Sequence, residues 1–257
     1  MLILVDLDKT LINENYQVTD PRIVEEIERV QKAGHLVGLS SDSSFQTLQP
    51  WYNRFGMNGP ILAERGSAFQ LSGDRPCATG SSDERIFLAM RMYFAQELGS
   101  CGFKVIECDP SWAIKDGVFD RSGEKPALIN SFRRWSFHVS FRREQKSSVD
   151  LALLILNDAC VRHAWSIDDF SLDPSLEYCL LIVHSKKSQK SFGTQALMMN
   201  MNLETLVVIG DGENDYTGLS GVSHWAVGNA KQEYKERCER VAHADYTSGV
   251  VELLQDL

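Results

Sequence analysis

Two apolar tetrapeptides, Leu2-Ile3-Leu4-Val5 and Leu206-Val207-Val208-Ile209, run straight into acid, the first into Asp6-Leu7-Asp8 and the second into Gly210-Asp211. Each run is too short for a helix and is bounded by polar residues, so each reads as a strand buried on both faces, the habit of parallel sheets. In open sheets of that kind ligands bind outside the carboxyl ends of the strands. Two acid-tipped strands in one sheet would bring Asp6, Asp8, Asp211 and Asp215 to the same edge. That many carboxylates repel one another unless a cation sits among them, and an all-oxygen donor set favours a hard ion, Mg2+ before Zn2+.

The intervening chain supplies the alternation such a sheet needs. Thr19-Asp20-Pro21 offers a cap and a first-turn proline to a helix with the apolar stripe Ile23, Ile27 and Val30, and Gly34 ends it. Residues 35–39 then predict a strand, 43–54 a helix and 61–63 a short strand, with a hairpin around 68–71 punctuated by Gly66 and Gly73. Gly80-Ser81-Ser82-Asp83 reads as a linker. Beyond it the spacing changes: a helix over 86–98, a strand over 103–107, a turn- and charge-rich stretch over 115–130, a strictly alternating strand over 135–141 and a helix over 149–160. These are not crossover units, so an α+β module is expected over 81–183, inserted between core segments 1–80 and 184–257. Helix 191–200, strands 205–209 and 225–227, helix 231–240 and helix 248–253 complete the predicted α/β core.

At 257 residues the chain can bury a large core, as one large domain or two smaller ones. Its net charge of -9 argues against nucleic acid or an anionic membrane as partner, because both need a positive footprint. A small anionic substrate needs positive charge only locally. No apolar run approaches about 18 residues and the amino terminus enters a strand without a basic leader, so the expectation is a soluble, cytoplasmic protein. The six cysteines contain no Cys-x-x-Cys pair and are expected as buried free thiols, and the six scattered histidines lack the His-x-x-x-His spacing of a zinc hydrolase.

Phosphoryl transfer is the chemistry these groups suit. A phosphate monoester is a dianion, so an anionic nucleophile can approach it only where charge is neutralised and position is fixed. Asp6 is the candidate nucleophile, forming an aspartyl phosphate. Asp8, two residues on, returns to the same side of an extended chain, from where it could protonate the leaving oxygen and then activate water. Mg2+ would bridge nucleophile and phosphate, with Asp211 as a ligand and Asp215, four residues later, as a ligand or an orienter of its water shell. Ser41, at the end of the second strand, offers a hydroxyl, and Lys190, ahead of a helix, offers a compact point charge. Lys187 is the alternative lysine.

Asp6-Leu7-Asp8-Lys9-Thr10, Ser41, Lys190 and Gly210-Asp211-Gly212-Glu213-Asn214-Asp215 together resemble the four motifs of haloacid dehalogenase superfamily phosphatases. The long insertion before the lysine is similar to the cap of the Cof-type branch, which includes sucrose-phosphate and mannosyl-3-phosphoglycerate phosphatases. The resemblance implies a Rossmann-like core with an inserted α+β cap. It also implies Asp6 as nucleophile, Asp8 as acid/base and carbonyl donor to Mg2+, Asp211 and Asp215 at the metal, and Ser41, Lys190 and Asn214 at the phosphate. Ala63-Glu64-Arg65-Gly66 is similar to a Glu-Asn-Gly stretch of that branch and adds Arg65 to the phosphate binders. The chain departs from the pattern at Lys9, where relatives usually carry glycine, at Asp42-Ser43, where most carry Gly-Arg, and at Ser191, where glycine usually follows the lysine.

Specificity is expected from the insertion, where the polar face Ser136, His138, Ser140 and Arg142 of one alternating strand could meet a substrate, with His138 and Arg142 as the candidate contacts. The expected activity is hydrolysis of a small phosphomonoester, a sugar phosphate or phosphoglycerate derivative. A phosphomutase with the same chemistry and a catalytically silent phospho-ligand binder are the alternatives; retention of both Asp6 and Asp8 speaks against the binder.

Overall fold

The computed structural model describes residues 1–80, 83–108, 125–144, 146–163, 165–169 and 178–257. The chain divides into two compact units, Met1–Thr79 with Ser188–Leu257, and the intervening Gly80–Lys187.

The first unit is an α/β sandwich around an eight-stranded sheet. In chain order its strands are β1 (Leu2–Asp6), β2 (Leu36–Ser40), β3 (Ile61–Ala63), β4 (Ala68–Gln70), β5 (Cys77–Ala78), β11 (Leu206–Gly210), β12 (Val222–Ala226) and β13 (Arg240–Val241). Across the sheet the order is β13-β12-β11-β1-β2-β3-β4-β5. Neighbouring strands are parallel except in the β3–β4 and β4–β5 pairs, which are antiparallel, so that β4 alone runs against the rest. From β1 the chain steps outward to β2 and β3, and after the insertion it returns on the other side of β1 at β11, so the direction of winding reverses between β1 and β11. That reversal opens the crevice in which open α/β sheets hold ligands.

Burial explains why these strands were readable from their composition. Leu2, Ile3, Leu4 and Val5 are wholly buried; Ile3 and Val5 join one cluster, while Leu2 and Leu4 join another on the opposite face. Each such side chain contributes about 1.5–3 kcal/mol through burial. One face is covered by α1 (Ile23–Lys32), α2 (Phe45–Arg54), α6 (Gln232–Lys235) and α7 (Tyr246–Gln255), through Ile23, Ile27, Val30, Leu48, Tyr234 and Val250. The other receives α5 (Lys190–Met201), whose Leu197 packs on Leu2, Leu4 and Val208.

The second unit is a five-stranded sheet in the order β6-β7-β8-β10-β9. Its members are β6 (Lys104–Cys108), β7 (Pro126–Asn130), β8 (Ser136–Arg142), β9 (Trp165–Asp169) and β10 (Tyr178–Ser185), antiparallel except for the β6–β7 pair. Helices α3 (Glu84–Ser100) and α4 (Lys146–His163) pack their apolar residues with Phe137, Val139 and Phe141 of β8. The chain returns to the first unit at Ser188, after β10 has paired as far as Ser185.

Several expected elements differ. The helix expected over 231–240 is only the short α6, because Glu239 N donates to His224 O and the chain is drawn onto β12 as β13. The expected strand at 225–227 begins earlier, at Val222, where it pairs with Leu206. Strands β7, β9 and β10 lay outside the sequence reading. Residues 81–82 of the expected linker and 115–124 of the turn-rich stretch lie outside the described residues. Of the cysteines expected buried, Cys77 and Cys101 are exposed, and all six are free thiols. Among the described residues no helix is long and apolar enough to cross a membrane.

Ahead of α1, the buried Asp20 carboxylate accepts from Arg22 N at 3.0 Å and from the guanidinium NH2 at 2.6 Å. The Arg22 side-chain hydrogen bond holds the Asp20 pKa below its usual value, with the backbone hydrogen bond adding to it. A depressed folded pKa contributes stability that is present above the unfolded value of about 4 and is lost as pH falls through the lower folded value. Asp20→Asn should therefore cost about 1 kcal/mol in urea melts at neutral pH, and the gap from wild type should close as pH drops below about 4.

Candidate active site

Strand register brings the expected groups together. Val5 pairs with Ile209 and Asp6 with Ser40, so the carboxyl ends of β1, β2 and β11 lie side by side. Lys190, the first residue of α5, sends its ammonium into this crevice from the face that α5 covers. Its Nζ donates to Asp6 Oδ1 at 2.6 Å, to Asp215 Oδ1 at 2.6 Å and to the Ser40 carbonyl at 3.3 Å. All three charged residues are buried, with exposures of 5%, 3% and 0% for Asp6, Lys190 and Asp215. Lys190 is thus the lysine that meets the aspartates, while Lys187 is exposed in the turn after β10.

Two glycines permit this closeness. A side chain at Gly210 would place its Cβ 2.3 Å from Asp215 Oδ2, the oxygen that accepts from Asp211 N and Gly212 N at 3.2 Å each. Gly66, at φ 79°, lies so near the start of α5 that a Cβ there would sit 2.3 Å from the Gln189 carbonyl oxygen and 3.0 Å from Lys190 Cα. The Glu64–Gly66 turn also reaches the loop after β2, where Glu64 N donates to Ser43 O at 2.9 Å and Arg65 N to Ser41 O at 3.4 Å. It therefore ties the Ser41 loop to the helix that carries Lys190.

The remaining predicted residues fall as follows. Ser41 is buried, accepts from Ser43 N at 3.1 Å through its Oγ, and hydrogen-bonds the Asp8 carboxyl. Arg65, half-buried, has left-handed backbone angles in the turn beside that loop. Asn214 is exposed in the one-turn 3-10 helix Glu213–Asp215. His138 and Arg142 lie on β8 of the second unit, where His138 Nε2 and Ser140 Oγ are 3.0 Å apart. Sequence reasoning missed the Ser40 carbonyl, for which a backbone atom leaves no signal, and Asp42, whose position beside Ser41 on a strand-end loop was the available clue.

Electrostatics record an excess of acid. Burial, augmented by Asp215, Asp211 and Asp8, raises the Asp6 pKa well above the usual carboxylate value against the lowering from Lys190. Asp211 is pushed up to about 6 by burial and by Asp215. At Asp8, burial with Asp42 raises the pKa against the lowering from Lys190, Lys9 and the Ser41 hydrogen bond. Burial opposes the charge of Lys190, but Asp215, Asp6 and Asp42 outweigh it and hold the ammonium on. One ammonium does not balance this many carboxylates. Asp6, Asp211 and Asp215 each present an oxygen within 4.8 Å of the others. Oxygens on opposite sides of Mg2+ are about 4.2 Å apart, so this all-oxygen set fits a hard divalent ion with a small adjustment.

Comparison with known proteins agrees in fold and family. The family described as haloacid dehalogenase-like hydrolase matches residues 3–254. A phosphoglycolate phosphatase from Sulfolobus acidocaldarius is 27% identical over 259 residues, covering 99% of this chain and 95% of that protein. A crystal structure of a Thermotoga maritima protein superposes with a TM-score of 0.72 at 18% identity, covering 100% of this chain and 97% of the other. The sucrose-phosphatase of Synechocystis, solved with sucrose and phosphate, superposes with a TM-score of 0.56 at 13% identity over 100% of this chain and 97% of its own.

Removing the ammonium should leave its two buried acids uncompensated. Lys190→Met is expected to lower unfolding free energy at neutral pH by about 3 kcal/mol, and Asp6→Asn in the same background should recover part of that loss. Equilibrium urea melts of both variants check it.

Proposed function

The chain belongs to the haloacid dehalogenase-like hydrolase family, and from that premise we propose that it is a Mg2+-dependent phosphatase of a small phosphomonoester. Its substrate is a sugar phosphate or a phosphorylated acid of the phosphoglycerate kind. The observation that carries this reading is the buried Asp6, held by Lys190 at 2.6 Å beside Asp211 and Asp215 where the sheet reverses. A carboxylate that only bound or capped would not need to be buried, oriented by an ammonium and crowded by further acids.

Lys190 holds Oδ1 of Asp6, which leaves Oδ2 to attack phosphorus. As that bond forms, the bond from phosphorus to the leaving oxygen breaks, and Asp8 gives its proton to that oxygen. The raised pKa of Asp8 suits this donor role. Asp8 then takes a proton from water, whose oxygen attacks the same phosphorus and frees Asp6 and inorganic phosphate. Mg2+, held by Asp6, Asp211, Asp215 and the Asp8 carbonyl, would offset the repulsion between nucleophile and phosphate and align them. Asp215 has one oxygen on Lys190 and the other on two backbone amides, so it also serves to orient the lysine and the Asp211 loop. Ser41, Lys190, Arg65 and Asn214 are the proposed phosphate contacts. Across the inserted unit, Arg142 and His138 are proposed to contact the rest of the substrate. Burial, with Arg133 near, holds the His138 pKa well below its usual value, so it acts as a neutral hydrogen-bonding group.

The relatives named above frame the substrate. One acts on a phosphorylated two-carbon acid by its name, the other was solved with a sugar and phosphate. The names of these two relatives, phosphoglycolate phosphatase and sucrose-phosphatase, both point to small polar phosphomonoesters.

Phosphate release from such a panel, with Mg2+ and with EDTA, tests the proposal. Turnover should require Mg2+, Asp6→Asn should remove it by at least about a thousandfold with the fold intact, and Asp8→Asn should cost about a hundredfold or more. Turnover that survives in Asp6→Asn or in EDTA contradicts it, and no turnover of any ester by wild type favours the silent binder.

A further inference from the structure

Immediately after Asp8, Lys9 has a left-handed backbone, φ 61°, a conformation that long L side chains rarely hold. Something must keep it there. Asn229 Nδ2 donates to the Lys9 carbonyl at 2.7 Å, and Oδ1 of the same amide accepts from Tyr246 N at 2.7 Å. One side chain thus spans the loop leaving β1 and the first residue of α7. Two further contacts reinforce it: Tyr246 OH donates to Glu14 Oε1 at 2.6 Å, and Thr247 Oγ1 donates to Leu11 O at 2.8 Å. Three of these four bonds land on residues 9–14, the segment that follows Asp8, and none involves Asp6, Asp8, Asp211, Asp215 or Lys190.

Mere anchoring of a surface loop would not need the left-handed residue. With its carbonyl released, Lys9 would relax to a negative φ, and rotation about its N–Cα bond would turn the preceding residue, Asp8, relative to the rest of the site. We infer that Asn229 is a positioning residue: its amide holds Lys9 left-handed and thereby fixes where the Asp8 carboxyl points. The inference rests on Asp8 as the acid/base of the proposed reaction. It also accounts for how this chain carries lysine at a place where glycine would be unstrained. The two hydrogen bonds demand an amide, since a carboxylate could still accept from Tyr246 N but has no donor for Lys9 O.

Steady-state hydrolysis of an aryl phosphate with Mg2+, measured for Asn229→Ala and Asn229→Asp in the wild-type and Lys9→Gly backgrounds, tests it. In the wild-type background kcat should fall about tenfold in both variants with KM within about twofold. Relative to Lys9→Gly as parent the same changes should cost less than about threefold, because glycine holds the left-handed conformation without help. An equal loss in both backgrounds, or an unchanged kcat in the folded variants, overturns the inference. Hydrogen exchange at the amides of Thr10, Leu11 and Ile12, which all bond the Leu7 carbonyl, gives a readout free of turnover. Exchange should quicken in Asn229→Ala against wild type but not against the Lys9→Gly parent, and unchanged protection in the first comparison overturns the clamp. If wild type itself releases no phosphate, the functional reading has failed, and the exchange comparison alone decides the clamp.

Discussion

An ammonium buried between two buried carboxylates is the interaction on which the rest of this structure turns. Each charge alone would cost several kcal/mol to remove from water, and the group persists because the partners meet at hydrogen-bonding distance with further donors to the second oxygen of Asp215. Lys190 meets Asp6 and Asp215 at 2.6 Å, and Asp215 is completed by two backbone amides. The sheet exists in a form that makes this possible. β1 and β11 are neighbours across the point where winding reverses, and α5 delivers the lysine from one face. Gly66 and Gly210 are demanded by the same closeness, one where a turn meets the helix start and one where a strand end meets a carboxylate.

The ion triad still leaves the crevice rich in negative charge, and this excess links fold to function. Asp6, Asp8 and Asp211 all have raised pKa values with burial as the first cause. A site of this kind is strained by its own charge until a cation and a substrate enter, and that strain is stabilised by the packed strands beneath it. The Leu2–Val5 strand, wholly buried, is the rigid base from which Asp6 emerges. Rigidity below and unbalanced charge above suit a nucleophile that must stay in place while a dianion approaches.

Legibility followed how local each cause was. Strands β1 and β11 could be read because burial on both faces writes an unbroken apolar run, and Asp6, Asp8 and Asp211 because acids at strand ends stand out against it. The alternation of β8 was plain for a similar reason, with Phe137, Val139 and Phe141 packed on the helices and Ser136, His138 and Ser140 on the opposite side. β10 escaped notice although Cys179 to Val183 is apolar, since its identity as a strand depends on partners β8 and β9 rather than on its own pattern. The overlong helix predicted at 231–240 shows the reverse error. Its charged, helix-favouring residues gave way to pairing with β12 and to Arg237, which leaves to lie over Tyr216 and bind Glu213. Contacts such as Asn229 with Lys9, 220 positions apart, leave no trace in either local sequence. Proximity of Lys190 to the acids was legible only through a family pattern, because the alternative Lys187 is chemically identical.

The central claim is that Asp6 becomes covalently phosphorylated. Rapid acid quenching of the protein during turnover of a small phosphomonoester with Mg2+, followed by peptide mass spectrometry, tests it most directly. A single acid-stable, base-labile phosphoryl group on the peptide that carries Asp6 is the predicted result. Turnover with no protein-bound phosphoryl group at any quench time, or with one on another residue, would contradict it.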